Sequence, residues 1–155
     1  MKGIRVIELP DMRMATSGQK NLDEMTEFNE WWSAVDKSRD DTLFPHDFMY
    51  YDEQTEKMVW NYALPHDMED AGGFEIIDYP GGIYAVSISI DGDENNKGDG
   101  EQVYAEMKKW IKVGGVFEMD ERPGHYTMFN IITPDAVYDV LGYRQLDIYV
   151  PIRIK

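Results

Sequence analysis

Trp60-Asn61-Tyr62-Ala63-Leu64-Pro65 and Leu146-Asp147-Ile148-Tyr149-Val150-Pro151 are strand-like runs closed by proline, and they occupy the same place in two successive blocks of sequence. Alternation puts Trp60, Tyr62 and Leu64 on one face of the first run, and Asn61 and Ala63 on the other. In the second run Leu146, Ile148 and Val150 oppose Asp147 and Tyr149. Working outward, Val6-Ile7-Glu8-Leu9-Pro10 and Ile76-Ile77-Asp78-Tyr79-Pro80 open the two blocks as strands. Each block also holds a helical stretch with tryptophan near its middle. Residues 21–37 carry Leu22, Met25, Phe28, Trp32 and Val35 on one stripe, while 101–113 carry Val103, Met107, Trp110 and Ile111. Gly114-Gly115 ends the second helix.

Residues 48–64 read as a hairpin about the polar turn Asp52-Glu53-Gln54-Thr55-Glu56-Lys57, and Met12, Met14 and Ala15 continue the first strand past a bulge at Pro10. Residues 74–80 and 83–90 are strands joined by Gly81-Gly82. Residues 116–120 and 125–132 read as another hairpin, about Glu121-Arg122-Pro123-Gly124. Thr133-Pro134-Asp135 caps a short helical turn to Leu141, and Pro151 places the final strand at an edge or at its own end. The order strand, helix, strand, strand therefore occurs twice. The expected fold is α+β, with tandem pseudo-two-fold β-α-β-β units forming an antiparallel sheet, two helices on one side and a central ligand groove. One domain over 1–155 is expected, with half-units at about 1–70 and 71–155.

Composition narrows the function. The formal net charge is −15, which opposes direct nucleic-acid binding, since that draws on Lys and Arg against phosphates and no basic patch is visible. Cysteine is absent, which excludes disulfides, thiolate zinc sites and Cys nucleophiles. No apolar run approaches the ~20 residues needed to span a bilayer, and residues 1–10 lack signal-peptide character. The expectation is a cytoplasmic protein with no membrane partner.

Three stretches resemble the GyrI-like small-molecule-binding family, also called the effector-binding domain of bacterial transcription activators. Val6-Ile7-Glu8-Leu9-Pro10-Asp11-Met12-Arg13 is similar to its first strand and proline, and Gly81-Gly82-Ile83-Tyr84-Ala85-Val86 to the start of its second unit. Tyr104 to Trp110 fits its helix, and Leu146-Asp147-Ile148-Tyr149-Val150-Pro151-Ile152 is similar to its closing strand. The resemblance implies a pair of β-α-β-β units and capture of a small hydrophobic or cationic molecule, without a cofactor. It also implies two alternatives: hydrolysis of cyclopropane-type strained electrophiles, or an acidic protein-interaction module such as a gyrase-protecting protein. With both halves filling the chain, a stand-alone, multidrug-binding type of domain is expected. The family's Pro-x-x-Glu-x-Tyr segment is Pro123-Gly124-His125-Tyr126-Thr127-Met128 here, with Tyr126 at the acidic position and Met128 at the tyrosine position.

Candidate ligand-binding residues are Tyr50, Trp60, Tyr62, Tyr126 and Tyr149, all expected on strands, where aromatic faces offer stacking area and a negative π-surface. Strand parity leaves open which face lines the site. Glu118, with Asp120 and Glu121 nearby, is the candidate carboxylate for binding or for activating water. Pro45-His46-Asp47 after Phe44, and Pro65-His66-Asp67 after Leu64, put His46 and His66 at the open end of a hairpin, the residue types of a zinc site; both also read as turns after proline. Asp91, Asp93, Asn95 and Asp99 imitate the odd positions of an EF-hand loop, yet Asn96 replaces its glycine and Gln102 its bidentate glutamate. No metal is expected.

Overall fold

The computed structural model describes residues 3–41, 45–92 and 98–155. Its strands and helices, in chain order, are β1 (Arg5–Leu9), β2 (Met12–Thr16), α1 (Thr26–Lys37), β3 (Asp47–Asp52), β4 (Lys57–Ala63), β5 (Glu75–Tyr79), β6 (Gly82–Asp91), α2 (Gly100–Gly114), β7 (Phe117–Met119), β8 (Met128–Ile131), α3 (Asp135–Leu141) and β9 (Arg144–Ile154). The chain is α+β, and the strand pairings within each unit are antiparallel. Two units emerge: a continuous one over Asp11–Pro80, and a discontinuous one of Met1–Pro10 with Gly81–Lys155.

Pro10 separates two strands rather than bulging one. β1 pairs with β6, whereas β2 pairs with β4 and β5, so the chain passes between units at Pro10 and again at Pro80. Proline has no N–H to give a ladder, which suits it to such junctions. β5 and β6, the strands joined by Gly81-Gly82, consequently pair in different units. The continuous unit runs β3-β4-β2-β5 and the discontinuous one β8-β9-β6-β1, the same order built on equivalent strands. The repeat is real as topology, with one outer strand of each unit supplied from across a proline.

Each helix buries the stripe its spacing announced. In α1 Phe28 is buried, and Trp31, Trp32 and Val35 pack with it against Ala15, Tyr62 and Leu64. Leu22 departs from the expected stripe. It lies in a short 3-10 turn, Leu22–Glu24, where the Glu24 carboxylate accepts from the Asn21 N–H at 3.0 Å, and α1 starts only at Thr26. In α2 Val103, Met107 and Ile111 are buried against Ala85, Ile148, Val150 and Ile152. Each such side chain contributes about 1.5–3 kcal/mol by leaving water. Gly115 closes α2 with φ of 68°, a left-handed turn that glycine adopts without a Cβ clash.

The second expected hairpin is absent. β7 and β8 do not pair with each other; both lie antiparallel to β9, β8 along residues 146–149 and β7 along 152–154. β9 is thus an interior strand with β6 on its other side, not an edge. Pro151 is tolerated there because it sits at the break between β7 and β8. Its carbonyl accepts from the Asp120 N–H at 2.9 Å on that side, so the N–H it lacks would also have faced the break. No helix among the described residues is long and apolar enough to cross a membrane.

Candidate functional site

Packing of Ala85, Ile148, Val150 and Ile152 against α2 settles the parity of the discontinuous unit. Tyr84, Val86 and Ile88 of β6, Asp147 and Tyr149 of β9, and Met128 and Asn130 of β8 take the opposite face. Register arranges them in rows: Ile88, Asp147, Asn130; then Arg5, Val86, Tyr149, Met128; then Ile7, Tyr84, Pro151. Tyr84, Val86 and Met128 are completely buried, and the rings of Tyr84 and Tyr149 meet edge-on at 6.4 Å. The first row opens outward, since Ile88 is 53% exposed.

A buried carboxylate, Asp147, lies on this face, whereas Glu118, opposite Arg153 on the same face, is half-exposed. Asp147 is 9% exposed, and its Oδ2 accepts from Arg5 Nη2 at 3.3 Å. Burial pushes its pKa up from the ordinary aspartate value, and the Arg5 charge offsets only part of that. Asn130, directly opposite on β8, is 2% exposed and donates Nδ2–H to the Tyr149 hydroxyl at 3.3 Å. Asp147 Oδ1 and Asn130 Oδ1 are both buried without a hydrogen-bond partner among the described residues. A buried acceptor left unpaired costs about 1–3 kcal/mol.

The far end of the face is occupied by the loop between β7 and β8. The His125 ring lies over Gly82, where an added Cβ would come within 3.4 Å of Nε2. Its Nε2 and Nδ1 each lie 3.2 Å from a carbonyl oxygen, those of Gly81 and Arg122. Asp120 is held down to about 2 by Arg122, which donates from Nε at 2.8 Å and Nη2 at 2.6 Å.

The sequence-predicted residues divide between faces. Tyr149 belongs to the row above, and Tyr50 of β3, opposite Val59, likewise points away from the helix of its own unit. Trp60 and Tyr62 point toward α1, which answers the parity question for β4. Tyr62 is fully buried, stacked on Trp32 at 5.5 Å, and its hydroxyl donates to Asp36 at 2.9 Å while accepting from Arg39 at 3.1 Å. Trp60 packs on Phe28 and donates Nε1–H to Asp47 at 3.1 Å. Tyr126 is not on a strand; it lies in the loop, 43% exposed. Glu118 sits half-exposed on β7 and accepts from Arg153 at 2.7 Å.

A second ionisable cluster lies at the end of α1. Asp47 is pushed up to about 6, chiefly by burial, with the nearby Asp36 charge adding to it. His46 approaches Asp36 at 3.5 Å, and burial lowers its pKa. His66 is exposed. Among the described residues no group of three or more His, Cys, Asp or Glu could hold a metal ion. Phe44, and Asp93, Asn95 and Asn96 of the EF-hand-like stretch, lie outside the described residues. Asp99 of that stretch is engaged structurally, accepting from the Ser89 hydroxyl and the Ile90 N–H. A shallow depression of about 430 Å³ lined by Asp11, Met12, Arg13, Asp78, Tyr79 and Pro80 belongs to the continuous unit.

Asp147 and Asn130 were missed as site residues. An acid at an inward-alternating position of an otherwise apolar strand was the available signal for Asp147. Nothing local marks Asn130 or Arg5, which reaches Asp147 across 142 positions of sequence.

No protein-family profile and no curated protein matches this sequence. Solved structures do share its fold. SAV2435 bound to tetraphenylphosphonium matches with a TM-score of 0.54 at 12% identity, covering 97% of this chain and 93% of that one. The EcmrR C-terminal domain matches at 0.64 and 13%, covering 99% of both chains. A hydrolase from Listeria innocua matches at 0.62 and 10%, covering 98% of this chain and 92% of that one.

Proposed function

We propose that this chain is a GyrI-like small-molecule-binding domain that captures a hydrophobic or cationic ligand, and that the face carrying Tyr84, Asp147, Tyr149 and Asn130 is where it does so. The observation that carries this reading is the Asp147 carboxylate set among buried aromatic and aliphatic side chains. In such surroundings a carboxylate attracts a cation far more strongly than it does in water, and aromatic faces add to the attraction. The lipophilic cation bound by SAV2435, which shares the fold, supports the same class of ligand.

Thermal melting with tetraphenylphosphonium and with neutral triphenylphosphine oxide tests it. A ligand at a hundred times its Kd stabilises by about 2.7 kcal/mol. For a chain of this size that raises Tm by roughly 5–10 °C. Asp147→Asn should weaken the cation and spare the neutral compound. If a panel of lipophilic cations and neutral aromatics leaves Tm unmoved, the reading falls. Capture takes precedence over hydrolysis by Glu118 because that carboxylate is half-exposed and tied to Arg153.

A further inference from the structure

Three features of the first row bear on which cations the site takes. Asn130 and Asp147 are direct cross-strand partners, so their side chains stand side by side, with Cβ atoms about 4.5–5.5 Å apart. Each keeps one buried oxygen without a partner among the described residues, and both oxygens are acceptors. The donors that approach them bond other oxygens: Arg5 Nη2 bonds the other Asp147 oxygen, and Asn130 Nδ2 bonds Tyr149. Beside the pair, Ile88 and Ile90 lie on the same face of β6 and are exposed. Those isoleucines form an apolar ledge at the outer edge of the row.

We infer that the Asn130–Asp147 pair selects cations that carry N–H groups, protonated primary or secondary amines and amidines, over permanently quaternary cations. This rests on the ligand-capture reading above and specifies its ligand class. An ammonium group presents up to three N–H bonds and can satisfy both oxygens at once, while its apolar part lies along Ile88 and Ile90. A quaternary ammonium or phosphonium brings the same charge but no donor, so it desolvates both acceptors and pairs neither. Sites built to hydrogen-bond a group reject analogues that lack it, because their own buried polar atoms are then left unpaired. Hydrogen bonds to a charged partner are the stronger kind, and loss of one is worth about tenfold or more in affinity.

The matched probes are 1-naphthylmethylammonium and its N,N,N-trimethyl analogue, with tetraphenylphosphonium as a third cation, titrated calorimetrically against the full chain at pH 7.4. The amine should bind at least about tenfold more tightly than its trimethyl analogue. Asp147→Asn should weaken all three cations and shrink that ratio. Asn130→Leu should shrink the ratio by weakening the amine more than the trimethyl and phosphonium cations. Asn130→Ser, checked by circular dichroism, serves if the leucine variant does not fold. Equal or tighter binding of the trimethyl compound overturns the inference, as does a ratio that survives Asp147→Asn. In that event strong tetraphenylphosphonium binding leaves the capture reading standing, whereas no binding by any probe overturns both.

Discussion

Asp47→Asn should stabilise this protein at pH 8 and leave it nearly unchanged at pH 4. The carboxylate lies under the end of α1, accepts from Trp60 Nε1–H at 3.1 Å, and is pushed up to about 6 from the ordinary 3.8. A group whose folded pKa is raised binds its proton more tightly in the folded chain than in the unfolded one. The proton-linked stability is therefore complete below pH 3.8 and lost as pH climbs through about 6, above which both forms are ionised. The gap between 3.8 and about 6, at 1.36 kcal/mol per pH unit, sets a ceiling of about 3 kcal/mol on what the buried charge costs above pH 7. Asparagine keeps the size and the acceptor for Trp60 while removing the charge. A gain of about 1–3 kcal/mol at pH 8 is expected, shrinking toward zero by pH 4. Guanidinium titrations of both proteins at half-unit pH steps, followed by tryptophan fluorescence, measure it. Taking the difference between variant and wild type cancels most contributions of His46, whose lowered pKa acts in the opposite direction. Native-state fluorescence should also titrate near pH 6 in the wild type and not in the variant, because Trp60 touches the titrating group. A gain independent of pH, or no gain at pH 8, would refute the assignment of a strained buried charge to Asp47.

Met107→Ala, at the fully buried centre of the α2 stripe, should cost about 2–5 kcal/mol in a denaturant melt. Gly72→Ala should destabilise by more than 1 kcal/mol, since φ there is +63° and an added Cβ would lie 2.4 Å from Trp31 Nε1; a Tm within 2 °C of wild type, roughly half the shift expected for that loss in a chain this size, would show the contact yields freely. Glu118→Gln should change stability by less than about 1 kcal/mol, because its ion pair with Arg153 is half-exposed on both sides, and it should leave calorimetric ligand affinity unaltered.

Features fixed by neighbours in sequence were the ones that could be read. The α2 stripe and the β3–β4 hairpin depend on spacing and on a polar turn within a few residues. Partner choice was not legible where it is long-range. Pro123-Gly124 marks a reversal of the chain, yet the strands flanking it each found β9 instead of one another. Alternation on either side of Pro10 showed strand on both sides, but not that the two stretches pair in different units. Trp60 and Tyr62 illustrate the same limit at the site. Their shared face was plain, but only the packing of Phe28, Trp31 and Trp32 against them shows that α1 covers that face.

The repeat that organised the fold also locates where the two units part company chemically. Asn61 of β4 and Asp147 of β9 occupy matching positions in the two proline-closed runs. Each points away from the helix of its own unit, each is buried, and each has an Oδ1 without a partner among the described residues. Structural symmetry alone asks for a polar side chain at both positions. It does not ask for a charge, and a neutral amide is the less costly choice in a buried place. The continuous unit takes that choice with Asn61. The discontinuous unit places a carboxylate instead, balances it only partly with an arginine that is itself 60% exposed, and sets a second free acceptor beside it on Asn130. A charge kept against its burial cost, where the matching residue of the other unit is a neutral amide, is the feature on which the proposed ligand capture rests.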